Sequence, residues 1–169
     1  FDHVIQISTL ELGSVQVLLA RARDGKSNWS LKNEDTSPPS DWTFNLQQVA
    51  LQQVGVHIRD AASQLDLKTE LDSLDGTTPD GYDLGWKAKG KFRRAVIEGA
   101  GQSAGVLSLQ QGSKPFPFEG NVRIGATTIA VHGTVTRPEA LAALDVRLKL
   151  KGSTMADLYP ILGVALPNT

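Results

Sequence analysis

The sequence predicts a mainly β, antiparallel protein, and three observations carry that prediction. Apolar and polar residues alternate along most of the 169-residue chain, which is the period of a half-exposed strand. Turn-forming residues recur at short spacing. Helical signals are few and short, too few to supply the crossover helices of a parallel sheet.

Taken along the chain, Val15-Gln16-Val17 opens a strand and Asp24-Gly25 marks a turn. After the break at Ser37-Pro38-Pro39-Ser40, alternation resumes at Val54-Gly55-Val56-His57-Ile58. The clearest strand is Leu65 to Asp72, with Leu65, Leu67 and Leu71 on one face and Asp66, Lys68, Glu70 and Asp72 on the other. Asp75-Gly76 and Pro79-Asp80-Gly81 then turn the chain into a strand from Trp86 to Arg94. On that strand Lys87, Lys89, Lys91 and Arg93 form a basic stripe opposite Trp86, Ala88, Gly90 and Phe92. One antiparallel register satisfies both faces at once: Glu70 opposite Lys87, Asp66 opposite Lys91, Leu71 opposite Trp86 and Leu65 opposite Phe92. This favours a solvated, charge-paired face for the stripe over contact with anionic headgroups, the second reading.

Ala95 to Gly99 continues the β pattern, and Ser103 to Gln111 has room for two helical turns. After the turn residues Gly112-Ser113-Lys114-Pro115, strands follow at Asn121-Val122-Arg123-Ile124, Thr127 to Thr136 and Asp145 to Lys151. Thr154-Met155-Ala156-Asp157 resembles a capping box before a short helix with Leu158, Ile161 and Leu162 on one face, limited by Pro160 and stopped at Gly163. Strands followed by a Leu-rich piece thus occur twice. This divides a single β-rich section into units of about 1–111 and 112–169, the second continuing beyond the chain.

Lys plus Arg number 17 and Asp plus Glu 18, a net charge of -1, so the chain is not a globally basic nucleic-acid binder. The apolar share is 40% with only 6% aromatics, so the apolar faces are mostly aliphatic. The absence of Cys excludes disulfides, thiolate metal sites and a thiol nucleophile. No apolar run approaches the roughly 18 residues that span a bilayer, and the ends read as cuts in a longer protein. His3, His57 and His132 have no metal-ligand spacing. Asp75, Asp80 and Asp83 lack the EF-hand pattern and read as turn residues. Gly101-Gln102-Ser103-Ala104-Gly105 matches the G-x-S-x-G nucleophile elbow, with Glu119 and His132 following as acid and base. The elbow needs a parallel sheet with flanking helices, so the expectation is no enzyme, no metal and no cofactor.

Many one-sided strands and little helix leave two architectures. The sheet closes on itself as a sandwich or barrel, the commoner solution, or it stays open and its apolar face is a groove for something else.

Several segments bear on that choice. They are Asp24-Gly25-Lys26-Ser27-Asn28-Trp29, Val54 to Asp60 with its Arg59-Asp60 ending, Gly90-Lys91-Phe92 with Gly99-Ala100-Gly101, and Val131-His132-Gly133-Thr134-Val135. The most specific runs from Gly152 to Pro167 and contains Ala156-Asp157-Leu158-Tyr159-Pro160. In this order they resemble the bacterial AsmA-like proteins across essentially the whole chain. The resemblance implies a periplasmic section of a protein anchored in the inner membrane by an N-terminal helix. It implies a twisted open sheet of the repeating β-groove type, as in bridge-like lipid-transfer proteins, with two short helical segments. It also implies a role in moving phospholipid toward the outer membrane and so in outer-membrane biogenesis. The groove lining would be the apolar faces: Val15, Val17, Leu65, Leu67, Leu71, Val122, Ile124, Ile129, Val131, Val146, Leu148 and Leu150. The expected partners are phospholipid, membranes through parts of the protein outside this chain, and envelope proteins. The alternative is a closed, non-enzymatic β-sandwich that binds or spaces within an envelope protein.

Overall fold

The computed structural model describes residues 3–29, 42–76, 78, 80–109, 114–136 and 144–152. Twelve strands account for most of them: β1 (His3–Ile7), β2 (Leu10–Gly13), β3 (Gln16–Arg21), β4 (Trp42–Leu46), β5 (Val49–Gln52), β6 (Val54–Asp60), β7 (Leu65–Ser73), β8 (Leu84–Phe92), β9 (Ala95–Ser103), β10 (Phe116–Ile124), β11 (Thr127–Val135) and β12 (Leu144–Lys151). Eight form one sheet in the order β12-β11-β10-β9-β8-β7-β6-β3. From β6 to β12 it is an antiparallel meander in which sequence neighbours are spatial neighbours. The edges β12 and β3 do not pair, so the sheet is open and neither a barrel nor a sandwich.

The register between β7 and β8 pairs Leu65 with Phe92, Asp66 with Lys91, Glu70 with Lys87 and Leu71 with Trp86, as the two-face pattern predicts. The wholly antiparallel expectation needs correction. β3 lies parallel to β6, β1 to β4 and β2 to β5, so residues 3–21 and 42–60 run side by side in one direction. Residues 22–41 join them, a connection long enough for a parallel crossover. Period-two alternation cannot reveal this, because it is the same whichever way a strand runs.

Backbone hydrogen bonds carry the ribbon through its breaks: Gln47 N donates to Ile7 O at 3.0 Å, Leu10 N to Gln48 O at 2.9 Å, Ser14 N to Gln52 O at 2.9 Å and Gly55 N to Val15 O at 2.8 Å. Ser14 (φ 54°) and Gln53 (φ 52°) are both left-handed, so the two segments kink at the same level. The kink folds Leu12, Val15 and Val49 against a small core of Leu51, Val54 and Leu84, with Leu71 beside them. The helix expected over Ser103 to Gln111 is also corrected. β9 runs through Ser103, and Val106–Leu109 is a 3₁₀ turn; four residues are the usual limit of that geometry. The capping box at Thr154 lies outside the described residues.

Side chains hold the β3 edge in place. In the Asp24–Trp29 turn, Asp24 Oδ1 accepts from Lys26 N at 3.1 Å. This brings the Asn28 amide alongside β3, where its Oδ1 accepts from Ala20 N at 2.8 Å and its Nδ2 donates to Leu18 O at 2.7 Å. The Asn28 side chain thereby occupies the place of the next strand. At the far end, Asp60 is 8% exposed. It accepts from the Arg21 guanidinium, from Ser63 Oγ at 2.7 Å and from Ala62 N at 2.9 Å. Arg21 first, and then Ser63, hold the carboxyl well below the ordinary carboxylate range.

Because the folded state depresses that value, the stabilisation is complete above the unfolded value of about 4 and is lost as pH falls below it. Asp60→Asn keeps one of the two acceptor oxygens and loses the other together with the charge. Thermal unfolding followed by circular dichroism should show a lower Tm for the variant at pH 7, and the gap to the natural chain should close as pH drops below about 4. A gap of constant size across that range would leave the charge without a role.

Candidate functional site: the apolar face of the open sheet

Cross-strand partners share a face, so the registers assign every strand residue to one side of the sheet. One row runs Val54, Leu71, Trp86, Gly101, Gly120, Val131 and Leu148. The next runs Val17, Val56, Thr69, Ala88, Gly99, Val122, Ile129 and Leu150. Eleven of the twelve residues that the sequence offers as groove lining lie in strands, and all eleven fall on this one face. Val15, between β2 and β3, packs into the cluster at the kink.

Sequence reasoning missed Ile58, Trp86, Ile97, Phe118 and Leu144, which lie on the same face. The alternation around each was the available signal.

The β2–β5 pair packs on this face at one end, through Leu12, Val49 and Leu51 against Val54, Leu71 and Leu84; across the rest of the face burial is graded. Ala88 and Ile97 at the centre are 7% exposed. At the rims Val17 is 40%, Leu148 60% and Leu150 42% exposed. Buried at its centre and open toward β3 and β12, this face is the trough side of the sheet. Small residues, Gly90, Gly99, Gly101, Gly120 and Gly133, recur along it. At Gly120 the requirement for glycine is sharp: a Cβ there would meet the Trp86 ring first, and a Cβ at Gly101 would meet the Glu119 carbonyl oxygen and then the same ring. The indole of Trp86 therefore lies across Gly101 and Gly120 as part of the floor.

The opposite face is polar, and several of its charges are paired, although Lys68 and Lys89 stand opposite each other. Asp66 receives His57 Nε2 at 2.7 Å and Arg59 Nε at 3.7 Å, and Arg123 pairs with Glu98 across strands. The His57 hydrogen bond is the chief cause of a lowered Asp66 pKa, and the Arg123 hydrogen bond of a lowered Glu98 pKa. Lys87, Lys89 and Lys91 lie on this face, with Glu70, Glu98 and Asp66 as respective cross-strand partners. Arg93 does not continue the stripe. It sits in the β8–β9 turn with φ 54°, its guanidinium 5.1 Å from the centre of the Phe92 ring.

The G-x-S-x-G match does not assemble a triad. Ser103 lies on the trough side beside Leu84 and Phe118, its Oγ donating to Ala104 O at 3.1 Å. Glu119 and His132 face each other on the polar side, 3.6 Å apart, with the sheet between them and the serine. Among the described residues no His, Asp and Glu cluster has metal-binding geometry, and no helix is long and apolar enough to cross a membrane.

Gly120→Val should expel the Trp86 ring. In a background with Trp29→Phe and Trp42→Phe, the expected result is red-shifted emission and a loss of about 1–3 kcal/mol of stability in denaturant titration, typical of overpacking. Unchanged emission would place the indole elsewhere.

The chain is 30% identical over 182 aligned residues to AsmA family protein YhjG of Escherichia coli (strain K12); the match covers 95% of this chain and 26% of that protein. The chain thus spans about a quarter of the length of its relative. No family model matches it, and no solved structure matches it.

Proposed function

Because the chain belongs to the AsmA-like family, we propose that it is a periplasmic section of an inner-membrane-anchored envelope protein, and that its trough shields phospholipid acyl chains on their way between the two membranes. The observation that carries this reading is a largely aliphatic face eight strands wide on an open sheet, with Val17, Leu148 and Leu150 exposed on it. A contiguous apolar surface of that kind marks a binding site.

The mechanism is physical, with no bond made or broken. A diacyl phospholipid carries on the order of 30 chain carbons, and at about 0.8 kcal/mol per buried CH₂ their exposure to water costs on the order of 25 kcal/mol. A continuous trough removes most of that barrier while the headgroup stays in water at the open side. Leu67, Val122, Ile129 and Val131 offer no polar contact that would hold one lipid in one place, so an acyl chain can slide along them.

Lipid extracted from the purified chain and identified by mass spectrometry tests the reading, with phospholipid expected. Leu67→Glu in mid-trough and Leu148→Glu at the exposed rim each place a charge against the chains, and bound lipid should fall at least about tenfold for the former, since burying an unpaired charge is costly. Leu148→Glu sits where folding tolerates it and separates lost binding from lost fold. A folded Leu67→Glu variant that carries as much lipid as the natural chain would end the proposal.

A further inference from the structure

The polar face carries a hollow of about 610 Å³ that the trough does not use, a volume within the range of small-molecule sites. Gln16, Gly55, Glu70 and Lys87 form one cross-strand row of its floor, and Lys68 and Lys89 belong to the next. Its three lysines sit on β7 and β8, which have a described strand on each side. Ser14 and Gln53, the two left-handed residues of the kink, line one end. A Cβ at Gly55 would collide with the Gln16 carboxamide, so that amide lies across the glycine.

Like charges directly opposite one another destabilise a sheet. Lys68 faces Lys89, and among the described residues no other two of permanent like charge are opposed in the eight-stranded sheet. On its other side Lys68 has His57. The flanking carboxylates are engaged elsewhere, Asp66 with His57 and Arg59, and Glu98 with Arg123. Their lowered pKa values owe most to His57 and Arg123 and least to Lys68 and Lys89. Asp72 accepts from Gln53 N at 2.7 Å. Glu70 is the one carboxylate among the described lining residues, so three lysines against one glutamate leave two positive charges in excess.

We infer that this hollow binds a soluble phosphate-bearing anion, held between Lys68 and Lys89. A phosphate monoester carries about 1.5 to 2 negative charges at pH 7, which matches the excess. Between the two ammonium groups it turns a repulsive pair into two charge-assisted hydrogen bonds. Glu70 is balanced by Lys87 opposite it, which leaves Lys68 and Lys89 for the ligand, and the Gln16 amide on the adjoining row offers a further donor. A concave site suits a small anion in solution better than it suits a flat bilayer surface. The hollow and the acyl-chain trough lie on opposite faces, so each stands or falls alone.

The test titrates inorganic phosphate into the purified chain at constant ionic strength and follows the backbone amide resonances by NMR. Saturable shifts are expected at residues 68–70 and 87–89. Lys68→Gln with Lys89→Gln should weaken the apparent affinity at least about tenfold, the loss of hydrogen bonds from charged donors. In chloride alone that double variant should have a Tm no lower than the natural chain's, because it loses the repulsion between the two lysines; lost binding is then not lost fold. Lys149→Gln with Lys151→Gln removes two exposed cations from the same face at β12 and should leave the affinity unchanged. Shifts that are absent or fail to saturate in the natural chain, unchanged affinity in the Lys68 and Lys89 variant, or equal weakening in the β12 variant would each overturn the site. So would a chain that ignores inorganic phosphate yet sediments with phosphatidic acid vesicles, which would make the hollow a membrane contact.

Discussion

A sheet that exposes its apolar face loses the main source of stability available to β proteins, the packing of that face against a second layer. Here the burden falls on the pairing itself. The cross-strand rows must be consistent on both sides at once, because the β2–β5 pair anchors the apolar side only at one end. In β7 and β8 they are: sliding one strand by one residue would set Leu71 among lysines and Glu70 among the aliphatics. The Trp86 ring adds burial at the centre, filling the space left by the missing Cβ atoms of Gly101 and Gly120.

The edges follow from the same constraint. An open sheet has two, and each presents unpaired backbone groups to other chains. At β3 the Asp24–Trp29 turn returns the Asn28 amide onto the strand, and Asp60 gathers Arg21 and the backbone of residues 62 and 63 at its end. At β12 the described residues provide no such cover.

The sequence made the faces legible and left the connectivity hidden. Leu65 to Asp72 and Trp86 to Phe92 can be paired by reading alone, because charge and hydrophobicity demand one register. Strand direction is invisible to alternation, so the parallel ribbon of residues 3–21 and 42–60 could not be foreseen. Neither could the left-handed kinks at Ser14 and Gln53, which no glycine announces. The Asp24–Trp29 turn was readable as a turn, but the work of Asn28 depends on partners eight and ten residues away. The lining residues could be read as apolar faces. That they share one uncovered surface emerges only when eight strands are placed in order.

The G-x-S-x-G match shows how a local pattern loses its meaning in the wrong sheet. A nucleophile elbow works because a parallel strand ends in a sharp turn and presents its serine above the sheet, where acid and base arrive from neighbouring loops. In a meander, β9 simply continues through Ser103, and Glu119 and His132 fall where their own alternation puts them. Serine and base are then separated by one sheet thickness, and no side-chain rotation closes that gap. The alternation that builds a wide aliphatic trough is thus also what keeps this constellation apart, so fold and site are settled by one pattern.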